Sequence, residues 1–258
     1  MDKNKPKFCP YCAELIKGEA IVCRFCGRDL WEISSHKQKQ IFFEELFPNR
    51  GENYQNIVSQ KPDSKKLDGL IKILFLTADP TDASRLRLGE ELREIQEKLQ
   101  LAKLRERFEL HQRMSVRPAD LSQALLDIQP QIVHFSGHGT NTGALCFENQ
   151  VGKIHFVHPD ALAVLFEQFV NQVHCVVLNA CYSEIQANAI AKHIDYVIGM
   201  NQAIGDRAAI AFAIGFYQAL GAGRTIEGAY KLGIAQIRLR GIPEHLTPVL
   251  IKKGQLQP

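Results

Sequence analysis

The sequence predicts an α/β protein in which helices cover both faces of a mostly parallel sheet, preceded by a small metal-stabilised module. Three observations predict this architecture. From residue 69 onward strand-like and helix-like segments alternate, the strand-like segments are apolar throughout, and four cysteines are concentrated in the first 26 residues. Strands that are apolar on both sides are typical of parallel sheets buried between two layers of helices.

The 258 residues divide into three parts, and the largest is long enough to bury a core. Residues 1–32 form the cysteine-rich module. Residues 33–68 are polar and interrupted by proline and glycine, which indicates a linker with at most one short amphipathic helix. Residues 69–258 form the α/β domain.

Within the α/β domain each element has a local signal. The predicted strands are 69–80, 107–114, 131–137, 174–180 and 195–200. A helix is predicted within 84–104 because its apolar residues lie on one stripe, namely Leu88, Leu92, Ile95, Leu99 and Ala102. A second helix begins at Pro118 and stops before Pro130. A hairpin over 144–157 follows the third strand, and an apolar helix is expected around 208–216.

The bulk properties exclude several classes of protein. A formal net charge of +3 is too small to indicate a polyanion partner. No apolar run approaches the ~20 residues that a membrane helix needs, so membrane insertion is not expected. The N-terminus has no apolar signal segment, which predicts a cytoplasmic protein. In a reducing compartment the seven cysteines should be thiols or metal ligands.

The N-terminal cysteines have the spacing of a zinc site. They form two C-x2-C pairs separated by ten residues: Cys9, Cys12, Cys23 and Cys26. Four thiolates around one Zn²⁺ leave no open coordination position, so this one ion is expected to be structural, with no cofactor for catalysis. Two alternatives are four unrelated cysteines and a redox pair, although neither pair lies between a strand and a helix.

The cysteine module resembles the short zinc ribbons found at the ends of many prokaryotic proteins. Its basic and acidic residues are nearly balanced, and four thiolates on one Zn²⁺ add negative charge. On electrostatic grounds nucleic-acid binding is therefore not expected. A role in contacting proteins or in sensing is the preferred interpretation.

A histidine and a cysteine follow two of the predicted strands. His138 comes just after the third strand and Cys181 just after the fourth. Functional groups in parallel α/β sheets collect beyond the carboxyl ends of the strands, so the two side chains would share a cleft if these strands are neighbours. An imidazole beside a thiol promotes the thiolate that attacks carbonyl carbon. Ser183 is a candidate N-cap for the next helix, whose N-terminus would also favour thiolate.

The glycines beside His138 fit the same interpretation. Gly137 and Gly139 allow unusual backbone angles and let a substrate chain approach. The amides of Gly139 and Cys181 are candidate donors to the oxyanion that forms during acyl transfer.

The segment 132–139 (IVHFSGHG), followed by 176–183 (VVLNACYS), resembles the CHAT family of caspase-like cysteine peptidases, relatives of caspases and separase. The segments 73–80 and 198–233, and the order of the motifs, also resemble that family. The resemblance covers about residues 69–252 and implies a caspase-like fold, with His138 as general base and Cys181 as nucleophile. It further implies an endopeptidase that acts on a protein, is activated by a partner or signal, and is often tied to prokaryotic antiviral immunity, with a gasdermin-like pore-forming protein as one candidate substrate.

Three further residues are candidates for substrate binding. In related peptidases acidic groups near the cleft select a basic residue before the cut, and Asp206 could serve in this way or could cap the helix that follows it. Asn179 stands two residues before Cys181, where some basic-specific relatives carry aspartate, so a preference for Arg or Lys stays open. Asp79, at the end of the first strand, is the third candidate. His134, Cys146 and Cys175 are expected in the core.

Two other classes of function stay open. One is a catalytically inactive caspase-like adaptor that recruits partners through the zinc ribbon. The other is a regulator that responds to nucleic acid through the ribbon, which the near-neutral charge disfavours.

Overall fold

The structure is a computed structural model that describes residues 70–257 and, near the N-terminus, residues 7–8, 15–17 and 20. In the N-terminal part, β1 (Lys7–Phe8) and β2 (Leu15–Ile16) pair in antiparallel register. The predicted zinc ligands Cys9, Cys12, Cys23 and Cys26 lie outside the described residues, as does the predicted linker over residues 33–68.

The α/β domain is built on one large sheet. In the part of the chain from residue 70 onward it contains seven strands in the order β12-β11-β10-β9-β5-β3-β4. These strands are β3 (Ile71–Thr77), β4 (Phe108–Arg113), β5 (Ile132–Ser136), β9 (Cys175–Asn179), β10 (Tyr196–Met200), β11 (Pro248–Lys252) and β12 (Gln255–Leu256). All neighbours from β10 to β4 are parallel, and β11 and β12 add an antiparallel edge. The prediction of a mostly parallel sheet is confirmed.

A smaller antiparallel sheet follows β5. It consists of β6 (His138–Gly139), β7 (Leu145–Glu148) and β8 (Ile154–Val157), which pair in that order. The hairpin predicted over 144–157 is therefore confirmed. Because His138 pairs with Cys146 across this sheet, the hairpin holds the segment that carries the histidine.

Six α-helices are described between residues 70 and 257. They are α1 (Leu88–Gln100), α2 (Pro118–Ile128), α3 (Pro159–Glu167), α4 (Glu184–Ile190), α5 (Asp206–Gly221) and α6 (Ile226–Leu239). The predicted stripe of α1 is buried over its whole length. Pro118 is the first residue of α2, where its missing N–H costs no hydrogen bond.

The helices cover both faces of the sheet, as the sequence predicts. On one face α2, α3 and α4 pack against side chains such as Val133, Phe135 and Leu178 in one apolar cluster. On the other face His134 of β5 contacts α1 and α5. The central strands β5, β9 and β10 are buried at every position, which explains their uninterrupted apolar sequences. The antiparallel edge over 248–256 was not predicted from the sequence.

Among the residues described, no helix combines the length and the apolar character that a bilayer crossing requires.

Candidate active site

The two strands that precede His138 and Cys181 are neighbours. β5 and β9 run parallel in register, with Ser136 opposite Asn179 at their carboxyl ends. His138 lies two residues beyond Ser136, and Cys181 lies two residues beyond Asn179. Both side chains therefore leave the same edge of the sheet, and both line one narrow cleft. The sequence interpretation required these two strands to be neighbours, and they are.

The cleft is formed by the carboxyl edge of the sheet and the first turns of two helices. Leu88 and Glu91 come from α1, and Asp206, Ala209 and Ile210 come from α5. The remaining lining residues belong to the segments around the histidine and the cysteine and to the loops before α1 and α5.

His138 is oriented by a backbone carbonyl. Its Nε2 atom lies 2.7 Å from the carbonyl oxygen of Ser84, in the loop between β3 and α1. A carbonyl oxygen only accepts, so Nε2 must carry the proton of this hydrogen bond. In the neutral imidazole the other nitrogen, Nδ1, is then unprotonated and able to accept a proton.

The thiol of Cys181 is half-buried and contacts the loop after β10. The backbone N–H of Ile204 donates to Sγ at 3.4 Å, and Sγ donates to the carbonyl oxygen of Ile204 at 3.7 Å. The next residue, Tyr182, has φ of 55°, a left-handed conformation that a residue with a Cβ adopts at a cost of about 1–2 kcal/mol. The chain thus turns sharply directly after the thiol.

Position 139 requires glycine because there is no room for a side chain, and not because of its backbone angles. A Cβ atom built on Gly139 would overlap the carbonyl oxygen of Cys181 and lie 3.3 Å from its nitrogen. At Gly137 a Cβ would lie 2.9 Å from the carbonyl oxygen of Ala78. Neither glycine has a positive φ, so the expectation of unusual backbone angles is wrong. In the structure the close approach is between two segments of the chain itself, the one that carries the histidine and the one that carries the cysteine.

Ser183 occupies the N-cap position of α4, but its side chain does not cap the helix. Its hydroxyl donates to the carbonyl oxygen of Leu178 at 2.8 Å and accepts from the N–H of Met200 at 2.9 Å. The serine therefore ties the end of β9 to β10. The capping prediction fails because these tertiary partners take the hydroxyl that the local pattern would use.

Glu91 is a site residue that the sequence interpretation missed. Its side chain is almost fully buried, with 2% of the residue exposed. The Oε1 atom accepts from His134 Nε2 at 3.0 Å and from Asn179 Nδ2 at 2.6 Å, and Oε2 accepts from Ser136 Oγ at 2.5 Å. The only available signal was that Glu91 lies on the apolar stripe of α1, between Leu88 and Leu92.

The Glu91 carboxyl is held ionised beneath the cleft. Burial alone would raise its pKa, but the hydrogen bonds and the charge of His134, with the hydrogen bonds of Ser136 and Asn179, lower the pKa below its ordinary value of 4.5. The other ring nitrogen of His134, Nδ1, lies 3.0 Å from the hydroxyl of Tyr217. Burial raises the pKa of that hydroxyl, so Tyr217 keeps its proton. His134 is a hydrogen-bonded core histidine, as expected.

Asn179 and Asp206 both line the cleft, and Asp79 does not. The amide of Asn179 also donates to the carbonyl oxygen of Ala209 at 3.2 Å, while its buried Oδ1 has no hydrogen-bond partner among the described residues. Asp206 is the first residue of α5, Gly205 holds the N-cap position, and the Asp206 carboxylate accepts from the N–H of Arg87 at 3.3 Å. Asp79 is not among the residues that line the cleft and instead forms a 2.9 Å ion pair with Arg85.

The remaining cysteines of the domain are core residues. Cys146 and Cys175 are buried free thiols, and burial raises the pKa of each. The prediction that they belong to the core is confirmed. In the described part of the chain no cluster of three or more His, Cys, Asp or Glu side chains is arranged to hold a metal ion.

Comparison with known proteins identifies the family. The model of the CHAT domain matches residues 46–241, which is most of the chain and begins within the predicted linker. A Roc-COR-CHAT protease from an unknown prokaryotic organism is 28% identical over 195 residues, covering 70% of this chain and 18% of the relative. A protein called "Probable protease" from Gillisia limnaea is 25% identical over 199 residues, covering 71% of this chain and 35% of the relative. The chain therefore spans only a minor part of the length of these relatives.

The fold has a solved counterpart. A secreted C11 cysteine protease from Bacteroides thetaiotaomicron, solved with an irreversible peptide inhibitor, aligns with a TM-score of 0.50 and 14% sequence identity. The alignment covers 71% of this chain and 66% of that protease. At this identity the likeness concerns the fold alone.

Proposed function

This chain belongs to the CHAT domain family, and on that premise we propose that it is a caspase-like cysteine endopeptidase that cleaves a protein substrate. The observation that carries the proposal is the shared cleft of His138 and Cys181 at the ends of neighbouring parallel strands. In this proposal Cys181 is the nucleophile and His138 is the general base.

The first half of the reaction follows from the hydrogen bond of the imidazole. His138 Nδ1 takes the proton of the Cys181 thiol, and the thiolate attacks the carbonyl carbon of the scissile peptide. The Nε2–H bond to the Ser84 carbonyl oxygen, 2.7 Å long, favours the imidazolium that results. As the C–N bond breaks, the imidazolium gives its proton to the leaving amine and a thioester remains on Cys181.

The second half regenerates the enzyme. Neutral His138 removes a proton from water, the hydroxide attacks the thioester, and the acid product leaves as sulfur recovers a proton from the imidazolium. Both steps pass through a tetrahedral oxyanion. We propose the backbone amides of Gly139 and Cys181 as its donors, a role supported by the close packing of these two backbone segments.

The chemistry of the cleft favours a substrate side chain that carries positive charge and hydrogen-bond donors. The ionised Glu91 and the unpartnered Oδ1 of Asn179 lie at the cleft, and Asp206 adds a second carboxylate. The nearby Arg87 is already paired with Glu90 at 2.6 Å. Glu91 shares its charge with His134, which lies 3.0 Å away, whereas Asp206 has no ion pair among the described residues. We therefore propose Arg or Lys as the residue before the cut, with Asp206 as the main source of negative charge and Asn179 Oδ1 as an acceptor.

The biological setting is proposed from the resemblance alone. In it the peptidase is cytoplasmic, is activated by a protein partner or signal in prokaryotic antiviral defence, and cleaves a gasdermin-like pore-forming protein. The N-terminal cysteines would bind one structural Zn²⁺, and this ribbon would dock the regulator or the substrate. The position of the first C-x2-C pair between β1 and β2 supports a ribbon-like hairpin.

The test of the activity compares the wild-type chain with Cys181→Ala and His138→Ala. Each protein is incubated with a proteome-derived peptide library, and the new peptide ends are identified by mass spectrometry. We expect cleavage by the wild type and none by either variant. Cleavage that persists in Cys181→Ala would show that the nucleophile is assigned wrongly.

A peptidyl chloromethylketone separates the peptidase from an inactive adaptor. The peptidase should be labelled at Cys181, and Cys181→Ala should not be labelled. A wild-type protein that resists labelling and cleaves no peptide, alone or with a partner recovered from its host, would instead be an adaptor.

A further inference from the structure

The loop between β10 and α5 contacts the thiol of Cys181. We call residues 201–205 the thiol loop. At its far end Ile204 presents both its N–H and its carbonyl oxygen to Sγ, at 3.4 Å and 3.7 Å. Nearer β10, the carbonyl oxygen of Gln202 accepts from the N–H of Tyr182 at 3.2 Å. The conformation of this loop therefore determines what surrounds the sulfur.

A second segment holds the thiol loop from behind. We call residues 243–247 the anchor turn, a 3-10 turn (Pro243–Leu246) followed by Thr247. Asn201 Nδ2 donates to the carbonyl oxygen of Leu246 at 3.2 Å, and Gln202 Nε2 donates to Thr247 Oγ1 at 2.9 Å. The N–H of Asn201 also donates to the carbonyl oxygen of Thr247 at 3.0 Å. Three bonds therefore join the start of the loop to the anchor turn, and the two bonds of Asn201 remain when the side chain of Gln202 is removed.

One bond of the anchor turn acts at the thiol contact itself. The Glu244 carboxylate accepts from the N–H of Gly205 at 2.6 Å. That N–H belongs to the same planar peptide unit as the carbonyl oxygen of Ile204, and in a trans peptide the two groups point in opposite directions. The peptide unit is thus held between a carboxylate on one side and the sulfur on the other.

We infer that Glu244 is a positioning residue for Cys181, acting through the Ile204–Gly205 peptide unit. Its carboxylate forms a short, charge-assisted hydrogen bond, which is stronger than a bond between neutral groups. Because the bond fixes the rotation of the peptide unit, it keeps the backbone of Ile204 against the sulfur. Glu244 is not among the residues that line the cleft, and its carboxylate bonds the loop at Gly205, so we place its effect in the loop.

The direction of the effect follows from the contact of Ile204 that Glu244 controls. The N–H of Ile204 belongs to the preceding peptide unit, whereas the carbonyl oxygen that accepts from Sγ at 3.7 Å belongs to the unit that Glu244 holds. Loss of Glu244 lets that unit rotate and withdraws the acceptor from the thiol. A hydrogen bond that the thiol donates stabilises the unreacted thiol by about 0.5–1.5 kcal/mol, so thiol reactivity should rise about three- to tenfold.

The test measures alkylation of Cys181 by iodoacetamide, followed by mass spectrometry of the peptide that contains it. Glu244→Ala should react about three- to tenfold faster than the wild type near neutral pH. Glu244→Asp keeps the charge but shortens the reach, so it should speed the reaction similarly and carries the test if the alanine variant does not fold. Glu244→Gln keeps an acceptor at the same reach and should stay within about twofold of the wild type.

Gln202→Ala is the matched control, because it removes a bond between the same loop and the same turn without touching the peptide unit. We expect an unchanged rate. The inference is overturned if Glu244→Ala and Glu244→Asp react like the wild type, if Gln202→Ala speeds the reaction equally, or if Glu244→Gln does not restore the wild-type rate.

This inference rests on the proposed function for its consequence, since the thiol matters only if Cys181 is the nucleophile. The alkylation test does not depend on peptide cleavage. A chain that cleaves nothing while Glu244→Ala and Glu244→Asp alkylate faster than the wild type would refute the peptidase and leave the positioning role standing.

Discussion

Replacement of Gly139 by alanine should separate the histidine and cysteine segments. The added Cβ would overlap the carbonyl oxygen of Cys181 and lie 3.1 Å from its carbonyl carbon, where carbon atoms in contact are ordinarily about 3.5–4.0 Å apart. Its neighbours there are main-chain atoms, which cannot rotate away. Relief of the overlap needs a backbone displacement on the order of 1 Å, and such a misplacement at a catalytic site costs about a hundredfold in rate.

The same displacement should also lower the free energy of unfolding. Insertion of a methyl group where no space exists typically costs about 1–3 kcal/mol. The assay is therefore twofold: kcat/KM for a peptide that the wild type cleaves, and the free energy of unfolding from urea denaturation followed by circular dichroism. The stability measurement remains valid whether or not the chain is a peptidase.

Gly89→Ala is the control for Gly139→Ala. No atom lies within 4 Å of a Cβ built on Gly89, which is the second residue of α1. Alanine in a helix is favoured over glycine by about 0.5–1 kcal/mol, so this variant should keep its activity and gain stability. A Gly139→Ala protein as stable and as active as the wild type would refute the steric argument and the proposed packing of the two segments.

Three further predictions concern the charge beneath the cleft and the N-terminal cysteines. A peptide with arginine before the cut should have a kcat/KM at least about tenfold above that of its citrulline analogue, since a hydrogen bond to a charged group contributes about 1.5–3 kcal/mol; equal values would contradict the acidic cleft. Glu91→Gln should lower the free energy of unfolding at pH 7 by about 1–3 kcal/mol. Because folding lowers the pKa of Glu91 from 4.5, this difference is present above that pH and should shrink as the pH falls below it, whereas a pH-independent difference would refute an ionised Glu91. Native mass spectrometry should find one zinc ion per chain, lost when the four N-terminal cysteines are changed to serine, and a metal-free wild type would contradict the ribbon.

The sequence was sufficient to predict the helices and strands whose signals lie within a short stretch of residues. Uninterrupted apolar strands, the apolar stripe of α1 and the proline at the start of α2 each reflect a preference that a short window of residues contains. The position of His138 relative to Cys181 is different. It depends on the pairing of β5 with β9, two strands separated by a hairpin and a helix, and the motif order could only suggest that pairing.

The parts of the site that were missed are those that carry no side-chain signal or that depend on distant partners. The acceptor for His138 is a backbone carbonyl at position 84, which any residue would supply. The partners of Glu91 lie 45 residues away at Ser136 and 88 residues away at Asn179. Glu91 is one of the four acidic residues of α1, and none of the other three is buried.

We propose that the buried cluster around Glu91 serves recognition of the substrate rather than stability. A charge removed from water costs several kcal/mol, and its partners usually do no more than offset that cost. Apolar side chains of similar volume would hold α1 against the sheet at least as well, as Leu88, Leu92 and Ile95 already do along the same stripe. What the carboxylate provides at this place is an acceptor that holds the amide of Asn179 at 2.6 Å and leaves the Oδ1 of Asn179 unpartnered at the cleft. A cluster kept for packing would leave the ratio of the arginine and citrulline rates unchanged in Glu91→Gln, so that ratio decides between the two explanations.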